Sequence, residues 1–456
     1  MANRPDTVRG RDHDPVSAFP VTDAAPAWYT GGKKCPALPE YRMMAGFTGA
    51  VRSNAFRFYR GKGFLPQYEK IQDFAMKRIW INRLSVCLLV CLAAIGTAAC
   101  SQPQPQTAEP HTPAVQTDHY TAAVFYYDYS DAYIASVRSK LTRDLVNAGI
   151  PYMEFDAASS QSAQNGQIDD AISRGADILI VNVVQSGNTD VADAICLKAY
   201  RQEIPVIFFN RPVEEDGDEG VVLDFYKDVA FVGTDPAEGG HIQGNMIGSY
   251  LKEHYSEVDL NGDGSISYTL FKGQASNAEA IYRTKYAVED ADAILEEAGY
   301  PPLQYFNENS VDNFQLDLTG KWSASAAHEY MMSNLARYNE ENGNMIELII
   351  CNNDNMAEGA IKALQAVGYN LGTDRCVTIP VFGVDATDAA KQLIAEGKMT
   401  GTVVQDAEGM AECVCRLTIN HEQGLDLLEG MEEYERDTEH GLNSKLYIPY
   451  EEYIPE

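Results

Sequence analysis

An oxygen-rich segment in the second half of the chain has the spacing of a calcium-binding loop. Residues 259–267 read DLNGDGSIS, in which oxygen-bearing side chains stand at alternate positions: Asp259, Asn261, Asp263 and Ser267. Gly264 permits the sharp turn that such loops need. An EF-hand-type loop would end in a bidentate glutamate, but that position is Leu270, in a segment typical of a strand. We therefore expect Ca²⁺ to bind with a carboxylate from elsewhere in the chain; the alternative is a metal-free Asx turn.

The charge balance of the chain restricts the class of partner. The sequence has 456 residues, with 35 lysines and arginines against 66 aspartates and glutamates, and a formal net charge of -31. Nucleic acid phosphates and anionic lipid surfaces repel such an acidic protein. We therefore expect no nucleic acid partner, and a chain of this length is expected to contain two or more domains.

A pattern typical of a secretory signal lies in the interior of the chain. Basic residues after Met76 precede the apolar run 84–95, and small residues then precede Cys100. This order is that of a signal peptide, and the segment Thr-Ala-Ala-Cys resembles a bacterial lipobox. We expect 76–100 to be a lipoprotein signal peptide, with Cys100 lipidated as the mature N-terminus. The Pro- and Gln-rich segment 101–117 is then a flexible tether.

The interior position of this signal suggests where translation begins. Residues 1–75 have no clear hydrophobic periodicity and are rich in turn-forming and basic residues. Our hypothesis is that Met76 is the natural start and that 1–75 is a spurious or disordered extension. Detection of a peptide from 1–75 in native cells would contradict it.

From Tyr120 onward, strand-like and helix-like segments alternate. This alternation predicts βαβ units and parallel sheets covered on both faces. Two such series indicate two α/β lobes with a cleft between them. We expect 118–229 with 405–441 to form the first lobe, and 230–404 with 442–456 to form the second. Ligands of such sheets bind beyond the carboxyl ends of the strands, which places Asp131, Tyr133 and Asn210 at a binding edge.

Several sequence blocks in the body resemble one family over roughly residues 119–456. The blocks are 127–133, 206–211, 232–235, the calcium loop, 351–357 and 381–386. Together they resemble the periplasmic glucose/galactose-binding proteins, the substrate receptors of bacterial ABC sugar importers. The resemblance implies two Rossmann-like lobes joined by a multi-strand hinge. It also implies that Glu347 supplies the missing calcium carboxylate and that Ser265 contributes its backbone carbonyl.

The same resemblance implies a monosaccharide site in the cleft, carried over position by position. The implied residues are Asp131, Tyr133, Asn210, Asn277, Glu279, Arg283, Trp322, Asn353, Asp385 and Gln405. Flat aromatic rings suit the apolar faces of a pyranose, while amides, carboxylates and arginine reach pairs of hydroxyls. We expect Tyr133 and Trp322 to stack on the two faces of the sugar and the polar residues to hydrogen-bond its hydroxyls.

The chain departs from the family pattern on one side of this site. The family has His, Asp and Asn where this chain has Asn277, Glu279 and Gln405. Our hypothesis is an altered hydroxyl preference, or a different ligand pose, on that side. Tight binding of glucose and galactose that Asn277→His left unchanged would contradict it. Each site residue also has a structural alternative: Asp131 as a helix cap, or Trp322 as a core aromatic.

The resemblance implies a receptor and not an enzyme. We expect an extracytoplasmic monomer, held to the membrane only by its lipid anchor, that delivers glucose or galactose to ABC permease subunits. A sugar-sensing domain that docks a chemoreceptor is the alternative. A glycosidase would need two carboxyl groups flanking a glycosidic bond; no nucleophile motif accompanies the cleft carboxylates.

Overall fold

The computed structural model describes residues 119–215, 217–373 and 376–455. These residues belong to one compact unit, Thr112–Glu456. The predicted signal peptide, its Cys100 and the tether lie outside the described residues, so they remain predictions. Within the described ranges, every helix is too short or too polar to cross a membrane.

The first lobe is built on a seven-stranded sheet. Its strands are β1 (Ala122–Tyr126), β2 (Tyr152–Asp156), β3 (Ile178–Val181), β4 (Val206–Phe209), β5 (Val229–Gly233), β12 (Glu435–Asp437) and β13 (Leu442–Tyr447). The order across the sheet is β12-β13-β5-β4-β3-β1-β2, and only the β12–β13 pair is antiparallel. Its helices are α1 (Ala132–Ala148), α2 (Gln161–Ser173), α3 (Thr189–Tyr200) and α9 (Ala407–Glu422).

The second lobe repeats this architecture. Its strands are β6 (Ser267–Lys272), β7 (Gln304–Tyr305), β8 (Gln315–Leu316), β9 (Leu348–Cys351), β10 (Val381–Asp385), β11 (Gly401–Gln405) and β14 (Tyr450–Glu452). They are ordered β14-β11-β10-β9-β6-β7, with β8 also paired to β6 and only β14 antiparallel. Its helices are α4 (Pro236–Val258), α5 (Ala278–Ala298), α6 (Ala324–Leu335), α7 (Asp354–Ala366) and α8 (Asp388–Ala395), with a 3₁₀ turn at Glu340–Asn342.

The chain passes between the lobes three times, and these crossings correct the predicted lobe boundaries. The first crossing follows β5, the second follows β11, and the third joins β13 to β14. The prediction had assigned most of β5 and all of β13 to the second lobe. Both strands belong to the first lobe because β5 pairs with β4 and β13 pairs with β5. Gln405, which the prediction had assigned to the first lobe, is the last residue of β11 in the second.

Helix α1 illustrates how local sequence determines an element of the fold. The Asp131 side chain accepts a hydrogen bond from the backbone N–H of Ile134, which caps the first turn. Gly149 ends the helix at φ 74°, a left-handed conformation that glycine adopts without steric cost. Its apolar residues recur at helical spacing as Ile134, Val137, Leu141 and Leu145, and this stripe is buried against the sheet.

A glycine stripe allows α4 and α5 to pack closely in the second lobe. A Cβ atom at Gly244 would lie 2.4 Å from the carbonyl oxygen of Tyr286, a backbone atom that cannot move aside cheaply. We expect Gly244→Ala to lower the free energy of unfolding by about 1–3 kcal/mol, as overpacking does. Urea denaturation measures this. The control is Gly166→Ala in α2, where nothing lies within 4 Å of the added methyl; a loss at Gly166 as large as at Gly244 would contradict the prediction.

Candidate functional site

A cavity between the lobes gathers every residue of the predicted sugar site. The empty space between its walls, including the part open to solvent, is about 400 Å³. Its lining residues are Tyr127, Asp131, Tyr133, Ile134, Asn210, Arg211, Asn277, Glu279, Arg283, Trp322, Asn353, Asp385 and Gln405. The structure therefore brings the predicted residues together; their contact with a sugar stays a prediction.

Strand topology explains why these residues meet. Asn210 follows β4 in the first lobe, while Asn353 follows β9 in the second. Asp385 and Gln405 are the last residues of β10 and β11. Because the strands of each lobe run parallel, their carboxyl ends share one edge, and the two edges face the same cleft.

Three residues of the cavity wall have a backbone conformation that is rare outside glycine. Asn210 has φ 62°, Trp322 has φ 55° and Asp385 has φ 123°, although none is glycine. Residues held in such regions cost about 1–3 kcal/mol each and persist where the surroundings determine them, often at binding sites. Their position in the cavity favours a functional role over a purely structural one.

Asp131 caps its helix and also lines the cavity. Its Oδ1 caps α1, while its Oδ2 accepts a hydrogen bond of 2.6 Å from the Tyr127 hydroxyl. Burial raises the pKa of Asp131, although the bonds from Ile134 and Tyr127 oppose the shift. The carboxylate is thus held rigidly at the cavity wall by its own helix.

A buried ion pair forms one wall of the cavity. Arg283 donates from Nη2 to Oε2 of Glu279 at 2.9 Å, and from Nη1 to the carbonyl of Asn352 at 2.8 Å. The two side chains are 3% and 7% exposed. Glu279 also accepts from the hydroxyls of Thr234 and Tyr450. Both carboxylate oxygens of Glu279 are therefore occupied by protein donors, which the sequence did not predict.

Asn277 is also committed to contacts within the protein. Its Oδ1 accepts from the N–H of Ala280 at 3.1 Å and caps α5. Its Nδ2 donates to Ser186 Oγ of the other lobe at 3.0 Å. This side chain consequently links the lobes at the cavity wall.

Other polar groups of the cavity lack protein partners. Within the described residues, the buried atoms Gln405 Nε2, Arg283 Nε and Arg211 Nε have no hydrogen-bond partner. Burial raises the pKa of Asp385, and the charge of Asp354 adds to the effect. Unpaired buried polar groups are costly. Their convergence on one cavity indicates a polar ligand that supplies the missing bonds.

Trp322 lies against a glycine that the ring requires. A Cβ at Gly273 would lie 2.1 Å from Cδ2 of the indole, so only glycine leaves room for the ring. The turn before Trp322 is held by Asp317, which accepts bonds from Thr319 and Ser323. The ring is 7% exposed and its accessible part lines the cavity.

Direct contacts hold the lobes together around the cavity. Lys321 of the second lobe lies 3.0 Å from Asp128 of the first, and Arg211 donates to Gln274 Oε1 at 3.0 Å. Together with the Asn277–Ser186 bond, these contacts describe a closed conformation.

Three lining residues were missed by sequence reasoning: Tyr127, Ile134 and Arg211. Arg211 stacks on the Tyr127 ring with its guanidinium carbon 4.1 Å from the ring centroid. Burial lowers the pKa of Arg211. The sequence contains a signal for two of them, since both lie just beyond the carboxyl end of a parallel strand. Arg211 directly follows Asn210 at the end of β4, and Tyr127 follows β1.

The predicted calcium residues lie together at the far end of the second lobe's β6 and β9. Glu347 is buried and its Oε1 accepts from the N–H groups of Leu260 and Asn261, at 2.8 and 3.2 Å. Its Oε2 accepts from the N–H of Ser267 at 3.0 Å. Asp259 accepts from the N–H of Asp263 at 3.1 Å. Among the described residues, no three His, Cys, Asp or Glu side chains are clustered as a metal site, so calcium binding stays a prediction.

The fold and the cavity define a two-lobed binding protein that encloses a small polar ligand. The model of the periplasmic binding protein domain matches residues 122–426. The D-galactose/methyl-galactoside binding periplasmic protein MglB of Haemophilus influenzae is 35% identical over 309 residues, which are 67% of this chain and 83% of that protein. The chain therefore belongs to the periplasmic binding protein family.

Solved structures agree with this assignment. An ABC transporter solute binding protein from Bacillus halodurans with bound myo-inositol is 26% identical, with a TM-score of 0.52, and the match covers 74% of this chain and 95% of that one. One from Clostridium phytofermentans with bound beta-D-glucose has a TM-score of 0.55 and shares the fold at 18% identity, over 73% of this chain and 93% of that one. The predicted two-lobe fold, the extracytoplasmic location and the prediction of a binding protein rather than an enzyme are confirmed by this membership.

Proposed function

We propose that this chain is the receptor of an ABC sugar importer and that it encloses a glucose- or galactose-like monosaccharide in the cavity. The observation that carries the proposal is the set of unpaired atoms, Gln405 Nε2, Arg283 Nε and Arg211 Nε, beside the aromatic rings of Tyr133 and Trp322. Hydroxyls would satisfy the polar groups, and the rings would cover the apolar faces of the sugar. The printed name of the Haemophilus influenzae relative supports a galactose-like ligand.

Hinged lobes would perform capture and delivery. Sugar would bind between the open lobes, and contacts made only in the closed state would favour closure. The closed receptor would then dock on the permease subunits, which release the sugar into their own pathway. A chemoreceptor as a second partner is not favoured by the relatives.

Calorimetric titration of residues 101–456 against a panel of monosaccharides tests the proposal. Tight one-to-one binding of glucose or galactose is expected. If only a different sugar bound, the proposed receptor function would stand, and Asn277, Glu279 and Gln405 would be the residues that determine which sugar binds. Absence of binding to every monosaccharide would overturn the proposed ligand class.

The membrane attachment is proposed on sequence grounds alone. We infer that Cys100 carries the lipid that holds the receptor at the outer face of the cell membrane. Metabolic labelling with a palmitate analogue is expected to mark the wild-type chain and not Cys100→Ser. Equal labelling of both chains would contradict it.

We also propose that the loop 259–267 binds Ca²⁺ together with Glu347. Oxygen donors of this kind suit the ion, and Glu347 is already buried against the loop. The residues that would hold the ion are Asp259, Asn261, Asp263, Ser265 through its carbonyl, Ser267 and Glu347. Bound calcium would supply a positive charge that fixes the loop against β9.

Calcium removal should affect stability more than sugar binding. The calcium residues lie outside the cavity wall, so chelation is expected to lower the melting temperature by several degrees while sugar affinity changes less than threefold. Calorimetry with and without chelator measures both. Glu347→Gln should show the lower melting temperature even in calcium. Loss of all sugar binding on chelation, with the fold intact, would contradict the prediction.

The ion pair between Lys321 and Asp128 should favour the closed state modestly. Lys321 is 46% exposed, and ion pairs of this kind contribute about 0–1 kcal/mol. Lys321→Ala is therefore expected to weaken sugar binding up to about fivefold, with a smaller effect at high salt. The control is Lys362→Ala, whose partner Glu358 lies on the same helix. A loss that did not diminish with salt would contradict an electrostatic origin.

A further inference from the structure

Each of the three connections between the lobes has one side chain, in it or next to it, that packs into a buried cluster around Glu279 and Arg283. Thr234 lies in the connection after β5, Gln405 ends β11 before the second connection, and Tyr450 begins β14 after the third. All three contact the Glu279–Arg283 pair of α5. The hinge and the cavity wall are thus joined through side chains as well as through the backbone.

Of the three hinge side chains, Tyr450 makes the most hydrogen bonds to the Glu279–Arg283 pair. Its hydroxyl donates to Glu279 Oε2 at 2.7 Å and accepts from Arg283 Nη2. Gln405 Oε1 accepts from the same Nη2 at 3.1 Å. Burial raises the pKa of Tyr450 well above its ordinary value, so the hydroxyl stays protonated at neutral pH and can donate.

The Tyr450 ring is fixed from behind and does not line the cavity. It is 3% exposed, and a Cβ at Gly239 of α4 would lie 3.0 Å from it. Glu279 and Arg283, in contrast, do line the cavity. Tyr450 can therefore influence a ligand only through its neighbours in the cavity wall, of which its hydroxyl contacts these two residues.

We propose that Tyr450 is a positioning residue that orients Arg283 toward the ligand and couples the cavity to the hinge. Glu279 has both oxygens engaged by Thr234, Tyr450 and Arg283, so its role is to hold Arg283. The Nε of Arg283 is buried and has no partner among the described residues, which leaves it to the ligand. The inference rests on the proposed function only in taking the ligand to be a monosaccharide.

This arrangement gives the hinge a means of sensing occupancy. A change of lobe angle alters the connections in which, or next to which, Thr234, Gln405 and Tyr450 lie. The three hinge side chains all contact the Glu279–Arg283 pair at the lobe angle seen in this structure. A ligand that binds Arg283 favours this arrangement, and it therefore favours this lobe angle.

Affinity measurements on the full-length chain test the role of Tyr450. Tyr450→Phe removes the hydroxyl and keeps the ring; calorimetric titration with glucose and galactose is expected to show about tenfold or weaker binding. The matched control is Tyr226→Phe, which loses a 2.8 Å hydrogen bond to Asp193 away from the cavity. We expect that control to bind within twofold of the wild type.

A double variant distinguishes positioning from general destabilisation. If Tyr450 acts through the pair, then in the Glu279→Gln background Tyr450→Phe should cause less than a threefold further loss, because coupled residues are not additive. A tenfold loss that persists unchanged in that background would overturn the proposal. Wild-type affinity in Tyr450→Phe, or an equal loss in Tyr226→Phe, would overturn it as well.

A ligand-free measurement separates this inference from the proposed function. The side-chain Nε–H resonance of Arg283, assigned by its loss in Arg283→Lys, should shift and exchange faster in Tyr450→Phe than in Tyr226→Phe. If the wild type bound no monosaccharide while this shift was observed, the proposed ligand would be wrong and the positioning role would stand. An unchanged resonance would overturn the positioning role whatever the ligand.

Discussion

Arg283→Met is expected to lower the free energy of unfolding by about 3–5 kcal/mol, because it leaves a buried carboxylate without its cation. Glu279 is 7% exposed and would keep only the hydroxyl donors Thr234 and Tyr450. The presence of Tyr450, Glu279 and Asp385 raises the pKa of Arg283 against the lowering effect of burial, so the arginine is charged at all accessible pH. Urea denaturation at neutral pH measures the loss.

A double variant gives the matched control. Glu279→Gln with Arg283→Met removes both charges, and this variant is expected to be at least about 1 kcal/mol more stable than Arg283→Met alone. Both variants should lose sugar binding, since both lack the guanidinium. Equal stability of the single and double variants would show that Glu279 is not an uncompensated charge in the single variant.

The elements that carry strong local signals were predictable from the sequence. The apolar stripe of α1, its cap Asp131 and its terminal Gly149 predict the helix that the structure contains. The ligand-binding edge follows from the rule on parallel strands, which places Asn210 at the cavity, where the structure has it. Such signals depend on neighbours in sequence or on the direction of a strand.

The features that escaped prediction depend on distant residues. Strands β5 and β13 pair across more than two hundred positions of the chain, so the lobe boundaries could not be read from local pattern. The engagement of Glu279 by Thr234 and Tyr450 likewise joins segments that meet only in the folded hinge. The resemblance to the family identifies the site residues in the sequence, whereas their hydrogen-bond partners follow only from the folded structure.

Gly273→Ala is expected to weaken sugar binding about 30-fold or more, although the added group is a single methyl. Its Cβ would lie 2.1 Å from Cδ2 and 2.2 Å from Cε3 of Trp322, so the indole must move. Gly273 donates its N–H to Asn352 Oδ1 at 3.2 Å, which holds the backbone in place. Loss of a central aromatic anchor costs about 2 kcal/mol or more. Calorimetric titration measures the change.

Fluorescence reports directly on the displaced ring. The sequence has 3 tryptophans, and Trp322 is the one that follows Cys100, so tryptophan emission from residues 101–456 comes from the cavity alone. Gly273→Ala should shift this emission to longer wavelength as the ring leaves its buried position. In a Trp322→Ala background the glycine substitution should cause little further loss of affinity, because the two changes remove the same contact. Gly166→Ala is the control and should change neither reading. An affinity within threefold of the wild type in Gly273→Ala would mean that the ring can shift without cost, and that Trp322 is not an anchor for the sugar.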